Sequence, residues 1–190
     1  MDHVDYFQRI INILSRDLED VEIVADSLYS CIERGGSIWV IGNGGSATTA
    51  NHFEVDLSYV RLNSINTFPI KVKSLSANSG VMSAIGNDIG FENVFSHQLM
   101  RQAQKGDVCV AISASGNSQN LIKAFEVCEL IGVERIAIVG FDGGKLLDLA
   151  EICCHVPTED GLYGPVEDVH LAICHYITAN LRARLLGGRP

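Results

Sequence analysis

Two segments rich in glycine and hydroxyl groups have the composition of phosphate-binding loops. The first is GNGGSA at 42–47 and the second is SASGNS at 113–118, and each follows an apolar run and precedes a helical pattern. Glycine lets the backbone approach a ligand closely, and a helix start offers free amides with a partial positive charge. These loops predict a lysine-free cradle for a phosphate monoester, with hydroxyls from Ser46, Ser113, Ser115 and Ser118.

A purely structural interpretation of the loops stays open. Neither loop matches G-x-x-x-x-G-K-[ST], and the first departs from G-x-G-x-x-G because Ala47 stands at the third glycine position. Ser46 and Ser118 also fit ordinary helix N-caps, which need no ligand. Two such loops in one chain favour binding over capping.

A second group of residues has the side chains needed to move protons or hold a metal. His52 and Asp56 are four residues apart in the helix predicted after the first loop, so they share one face. On the last predicted helix, Glu167 and His175 are eight apart, about 80° around the axis, and can face one pocket. Glu54 points to roughly the opposite side of its helix. The remaining histidines that we treat as structural or surface residues are His3, His97 and His155.

The alternation of apolar runs and helical patterns predicts an α/β fold. Predicted strands cover 37–42, 68–75, 107–113, 135–140 and 151–157. Predicted helices cover 47–59, 91–104, 118–132, 143–150 and 165–186. Short apolar strands separated by helices indicate a parallel sheet with helices on both faces, formed by a single domain over 1–190.

The N-terminal region predicts one long helix over 2–34. Its apolar residues recur at spacings of three and four, and Gly35 and Gly36 end it. This apolar stripe fits either packing on the chain's own core or a helix bundle shared between subunits.

Charge and composition narrow the class of function. The 190-residue chain has a net charge of −9 and no run of Lys or Arg, which argues against nucleic-acid binding but not against a small anionic ligand. No apolar run approaches the ~18 residues of a membrane span, and the N-terminus lacks a signal core. Six cysteines without a CxxC pair indicate reduced thiols, so we expect a cytoplasmic protein with no membrane partner.

Four segments resemble the sugar isomerase (SIS) domain family, and more narrowly its phosphoheptose isomerases. They are IGNGGSA with NHF, AIGNDIGFENVFSHQL, GDVCVAISASGNSQN and GFDGGKL. The resemblance implies a three-layer flavodoxin-like fold with a five-stranded parallel sheet, and a homotetramer with a helical core and active sites between subunits. It also implies that Gly45, Gly116 and Asn117 assist the four serines, and that Asn43 and Asp88 contact the sugar chain.

The same resemblance implies a zinc site formed by a His, a Glu, a Gln and a His, in which the Glu and the second His also act as base and acid. The matching positions here are His52, Asp56, Glu167 and His175, so Asp replaces the family Glu and Glu replaces the family Gln. Both replacements can bind a divalent metal, yet the shorter Asp changes the base position. The family arginine beyond the base is displaced, with Arg61 adjacent to its position.

The residues and the resemblance together lead to three hypotheses. The first is an aldose–ketose isomerase that converts sedoheptulose 7-phosphate to D-glycero-D-manno-heptose 7-phosphate through an enediol, with Asp56 as base and His175 as acid. The second is the same chemistry on another sugar phosphate, suggested by the Asp56 and Glu167 replacements. The third is a non-catalytic protein that binds phosphosugars or associates with a replication initiator.

Overall fold

A five-stranded sheet with every strand parallel organises the structure. The computed structural model describes residues 2–15, 19–59 and 70–187. The strands are β1 (Ser37–Gly42), β2 (Lys71–Ser74), β3 (Val108–Ser113), β4 (Glu134–Val139) and β5 (Ile152–His155). Their order across the sheet is β2-β1-β3-β4-β5. The predicted α/β class and parallel sheet are therefore confirmed.

Helices cover both faces of the sheet. They are α1 (His3–Leu14), α2 (Glu19–Glu33), α3 (Gly44–Tyr59), α4 (Ser79–Asp88), α5 (Ser96–Gln102), α6 (Gln119–Ile131), α7 (Gly144–Leu149) and α8 (Tyr163–Leu185), with a 3₁₀ turn at Phe91–Asn93. Helices α2, α3 and α8 pack on one face of the sheet, and α4 to α7 pack on the other. Alternate strand residues serve the two cores: Val110 and Ile112 point to the first, while Cys109 and Ala111 point to the second.

The N-terminal region forms two helices instead of the single long helix expected over 2–34. Helix α1 ends at Leu14, where the Ser15 hydroxyl donates to the Ile11 carbonyl at 2.7 Å and the Ser15 backbone N–H also bonds that carbonyl. Helix α2 packs against β5 and α8, whereas α1 contacts α8. Apolar spacing continues across both helices, so the pattern alone did not reveal the break.

Two further element boundaries differ from the prediction. The helix expected over 91–104 is a 3₁₀ turn followed by α5, and α4 was not predicted. Helix α4 starts at the Asn78 cap, whose side chain accepts a hydrogen bond from the Val81 N–H at 3.1 Å. Its apolar residues Val81, Met82 and Ile85 are spaced three and four apart and pack on the second core, but the segment is short and rich in small polar residues. Part of the strand expected over 68–75, and Arg61, lie outside the described residues.

No helix in the described part of the chain is both long enough and apolar enough to cross a membrane.

Candidate active site

The first loop forms the turn between β1 and α3. Gly44 has a φ of +54°, a left-handed conformation that favours glycine, and α3 starts at this residue. The Ser46 side chain is buried in the first turn of the helix. The parallel strands β1 and β3 are neighbours, so the two predicted loops leave the same edge of the sheet side by side.

The second loop is shaped by its own hydroxyl groups. Ser113 Oγ accepts a hydrogen bond from the Gly116 N–H at 3.0 Å, and Ser115 Oγ accepts one from the Asn117 N–H at 3.3 Å. Each hydroxyl keeps its own proton to donate to a ligand. Ser118 stands at the N-cap of α6, but its side chain makes no capping hydrogen bond. Ser118 therefore occupies the N-cap position, but its hydroxyl does not cap the helix.

The GFDGGKL segment packs against this second loop and forms hydrogen bonds with it. Gly116 has a φ of +62°, and a Cβ there would overlap the Gly143 carbonyl. The Lys145 N–H donates to Asn117 Oδ1 at 3.1 Å, and the Leu146 N–H donates to the Gly116 carbonyl at 3.0 Å. The segment therefore fixes the loop conformation through backbone contacts.

A pair of asparagines joins the two loops. Asn43 Nδ2 donates to Asn120 Oδ1 at 2.8 Å, and Asn120 Nδ2 donates to Asn43 Oδ1 at 2.9 Å. Asn120 is buried at the start of α6 and was not among the predicted site residues. The sequence offers one signal for this residue: Asn120 is a polar residue that opens the largely apolar segment NLIKAF, two positions after the second loop.

A cleft of about 650 Å³ opens beside this pair. Its wall is formed by Asn43, Phe91, Glu92, Ser118, Gln119, Asn120 and Lys123. The Lys123 ammonium lies 3.5 Å from Glu92 Oε1 and donates to Asn93 Oδ1 at 3.3 Å. The loops themselves contain no lysine, but the Lys123 ammonium, paired with the Glu92 carboxylate, lies on the cleft wall.

Three of the predicted proton-moving residues come together between α3 and α8. His52 Nε2 lies 3.0 Å from His175 Nε2, and Asp56 Oδ2 lies 3.4 Å from the first nitrogen and 3.6 Å from the second. Both histidine side chains are about half exposed, at 49% each. Glu54 points away, as expected, and accepts a hydrogen bond from the Ser74 N–H at 2.8 Å.

The other predicted residues lie elsewhere on the surface. Glu167 is not part of the group of three, because its carboxylate lies against Gly45 at the start of α3. The contacts Gly45–Glu167 and His52–His175 show that α3 and α8 run side by side in the same direction. Asp88, at the end of α4, is exposed and accepts a hydrogen bond from the Asn87 side chain at 2.8 Å.

Comparison with known proteins places the chain in a family. The SIS domain profile matches residues 3–140. The chain belongs to the SIS domain family. It is 32% identical to the phosphoheptose isomerase of Akkermansia muciniphila, over 89% of this chain and 87% of that protein. It is 38% identical to that of Cytophaga hutchinsonii, over 85% and 83%.

A solved structure agrees with this assignment. The phosphoheptose isomerase GmhA of Neisseria gonorrhoeae superposes with a TM-score of 0.85 at 27% identity, covering 95% of this chain and 94% of that one. The expected family and its phosphoheptose isomerase branch are thus confirmed, and the chain is a sugar-phosphate isomerase.

The group of three in this SIS domain has the geometry and chemistry of a divalent-metal site. A tetrahedral ion bound at about 2.0–2.1 Å separates its ligand atoms by about 3.3 Å. The three separations here are 3.0, 3.4 and 3.6 Å. Two imidazoles and one carboxylate, with further positions open, are a donor set used by catalytic zinc. His52, Asp56 and His175 therefore fit such an ion without a contribution from Glu167 of the same chain.

Proposed function

We propose that this SIS domain interconverts sedoheptulose 7-phosphate and D-glycero-D-manno-heptose 7-phosphate. The observation that carries the proposal is that one helix contains both phosphate-binding residues and proton-moving residues. Helix α3 begins in the first loop, and His52 follows Ser46 by six residues, or about 9 Å along the axis. A phosphate held at the loops would place the other end of an open-chain sugar near His52, Asp56 and His175.

The phosphate group is proposed to bind in the two loops. Hydroxyls of the four serines donate to its oxygens, assisted by backbone atoms of Gly45, Gly116 and Asn117. The Asn43 side chain and Asp88 are proposed to contact the hydroxyls of the sugar chain. The buried Asn120 holds Asn43 in place for this contact.

Asp56 and His175 are proposed to move the protons. Asp56 takes a proton from C1 of the ketose while His175 gives one to the oxygen on C2, which produces the enediol. His175 then takes the proton from the oxygen on C1 while Asp56 returns its proton to C2, which yields the aldose. No atom is gained or lost, and both groups return to their starting state.

His52, Asp56 and His175 are proposed to hold a divalent metal, with zinc as the ion. Glu167 is proposed as a further ligand that comes from a neighbouring subunit, because within one chain its carboxylate lies against Gly45. When bound, the ion would polarise the substrate carbonyl and stabilise negative charge on the oxygens of the enediol. Asp56 Oδ2 lies beside both imidazoles, so the residues that would bind the ion also lie where the protons must move.

The chain is proposed to act as a homotetramer with active sites between subunits. Helix α1 leaves an apolar stripe exposed at spacings of three and four, formed by Val4, Phe7, Ile11 and Leu14. Val55 and Tyr59, on the same helix as Asp56, are also exposed. Copies of the chain that cover these side chains would bury the half-exposed histidines. All six cysteines are free thiols, which supports the proposed cytoplasmic location.

A panel of sugar phosphates tests the proposal. Purified protein is assayed by isomer analysis with five-, six- and seven-carbon ketose phosphates, before chelation, after chelation and after zinc is restored. We expect turnover of the seven-carbon substrate that is lost on chelation and returns with zinc. Preference for a shorter sugar would favour the second hypothesis, which the Asp56 and Glu167 replacements suggest. Tight binding with no turnover would favour the non-catalytic one.

A further inference from the structure

The Glu167 carboxylate lies directly on the first loop. A Cβ placed on Gly45 would overlap both carboxylate oxygens and the carboxyl carbon of Glu167. The Glu167 side chain is half-buried, and it forms no ion pair within residues 2–15, 19–59 and 70–187. An unpaired negative charge thus rests at the first turn of α3.

That position is electrostatically favourable for any anion. The first amides of a helix have no partner within it, and the N-terminal end carries a partial positive charge. A phosphate is favoured there for this reason. A phosphate that binds at Gly45 and Ser46 is repelled by the negative charge of Glu167. The carboxylate also fills the space beside the Cα of Gly45, so the phosphate and the carboxylate cannot both occupy it.

We propose that Glu167 competes with the phosphate of the substrate for the N-terminus of α3, and so sets the phosphate affinity of the free protein. This rests on the proposed function, since it assigns a specificity-determining role at that site. A ligand that docks on the first loop must displace the carboxylate. Small phosphates with few other contacts therefore bind weakly, while a long sugar phosphate gains contacts from the second loop and the cleft.

The test is calorimetric titration of metal-free protein, so that coordination by Glu167 does not enter. Inorganic phosphate and sedoheptulose 7-phosphate are titrated into chelated wild type, Glu167→Gln and Glu167→Ala. Both variants should bind phosphate about three- to tenfold more tightly than wild type. The matched control is Asp168→Asn, because Asp168 is the next residue along α8 and its carboxylate accepts from Tyr6 at 2.5 Å, away from the loop.

The possible results distinguish the competition by Glu167 from the proposed function. Tighter phosphate binding in both Glu167 variants, with the control unchanged, supports the competition. Unchanged or weaker binding in a folded Glu167→Gln or Glu167→Ala protein overturns it, while binding of the sugar phosphate by wild type leaves the proposed function standing. If inorganic phosphate binds to neither wild type nor any variant, the competition is wrong. The proposed function is judged separately by titrating sedoheptulose 7-phosphate into zinc-loaded wild type, where absence of binding would overturn it.

Discussion

The side chains of Asn43 and Asn120 exchange two hydrogen bonds, of 2.8 and 2.9 Å, across the gap between the two loops. Asn43 belongs to the turn after β1, and Asn120 to the first turn of α6. This contact joins two segments that are 77 residues apart in the chain and connects the first loop to the helix that follows the second.

Removing one partner of this pair should weaken substrate binding. Asn120→Ala leaves the Asn43 amide without its partner, at a cost of about 1–3 kcal/mol in stability, and frees the first loop to move. We expect kcat/KM to fall about tenfold or more, mainly through KM. A double-mutant cycle with Asn43→Ala checks the pairing in unfolding experiments. If the double variant costs as much as the two single variants added together, the two residues are not coupled.

Asp56 should be essential, while its neighbour Glu54 should not. Asp56→Asn removes the proposed base and a metal ligand, so we expect turnover to fall by about 10²–10⁴ and bound metal to decrease. Glu54→Gln is the matched control on α3, because Gln keeps an oxygen to accept the Ser74 N–H. Steady-state kinetics and elemental analysis measure both effects. Equal losses in the two variants would show that helix integrity, not the carboxylate of Asp56, is what matters.

The exposed stripe of α1 should hold the subunits together. Phe7 is 60% exposed and lies on this stripe, so Phe7→Lys places a charge where a partner helix is expected. Light scattering should show a tetramer for wild type and smaller species for the variant. Gln8→Lys adds the same charge to the neighbouring residue, whose side chain bonds Asn12, and should leave the tetramer intact. A monomeric wild-type protein would contradict the proposed assembly.

Buried His170 should make the protein sensitive to acid. Burial lowers the pKa of His170 from 6.5 to about 4, and the Val139 carbonyl, which favours the protonated ring, offsets only part of this shift. Between pH 6.5 and about 4, His170 therefore binds a proton in the unfolded chain but not in the folded chain. The stabilising contribution is complete above pH 6.5 and is lost as the pH falls toward 4, by about 3 kcal/mol in total.

Urea unfolding at a series of pH values, with chelator present, tests this contribution. Stability should fall between pH 6.5 and 4 by about 3 kcal/mol more in wild type than in His170→Leu. His3→Gln controls for loss of a histidine at an exposed position on α1. Parallel pH profiles for wild type and His170→Leu would rule out the assigned role of His170.

Sequence reasoning located the loops because their chemistry is local. Glycine and serine at fixed offsets after a strand determine a turn and a helix start without help from the rest of the fold. The sharing of one face by His52 and Asp56 also follows from helix geometry alone. Helix α4 was missed because it is short and its Ser, Gly and Asn residues are typical of a loop, which obscures the spacing of Val81, Met82 and Ile85.

The contacts that the sequence could not reveal depend on how α8 lies against α3. Gly45 and Glu167 are separated by 122 positions, and nothing in either segment sets the relative shift of the two helices. That shift decides that His175 meets His52 while Glu167 meets the first loop. The family resemblance placed Glu167 in the same ligand set as His175, and the spacing around one helix lets both face one pocket. Eight residues also separate them by about 12 Å along the helix axis, so the two side chains of one chain do not meet.

Proton exchange from solvent tests the central claim most directly. Zinc-loaded protein is incubated with sedoheptulose 7-phosphate in D₂O, and the sugar carbons are followed by NMR. An enediol route predicts aldose phosphate together with deuterium at the carbons that exchange protons, and both signals should vanish in Asp56→Asn. Sugar phosphate that binds, yet neither isomerises nor takes up deuterium with zinc or any other divalent ion, would contradict the account.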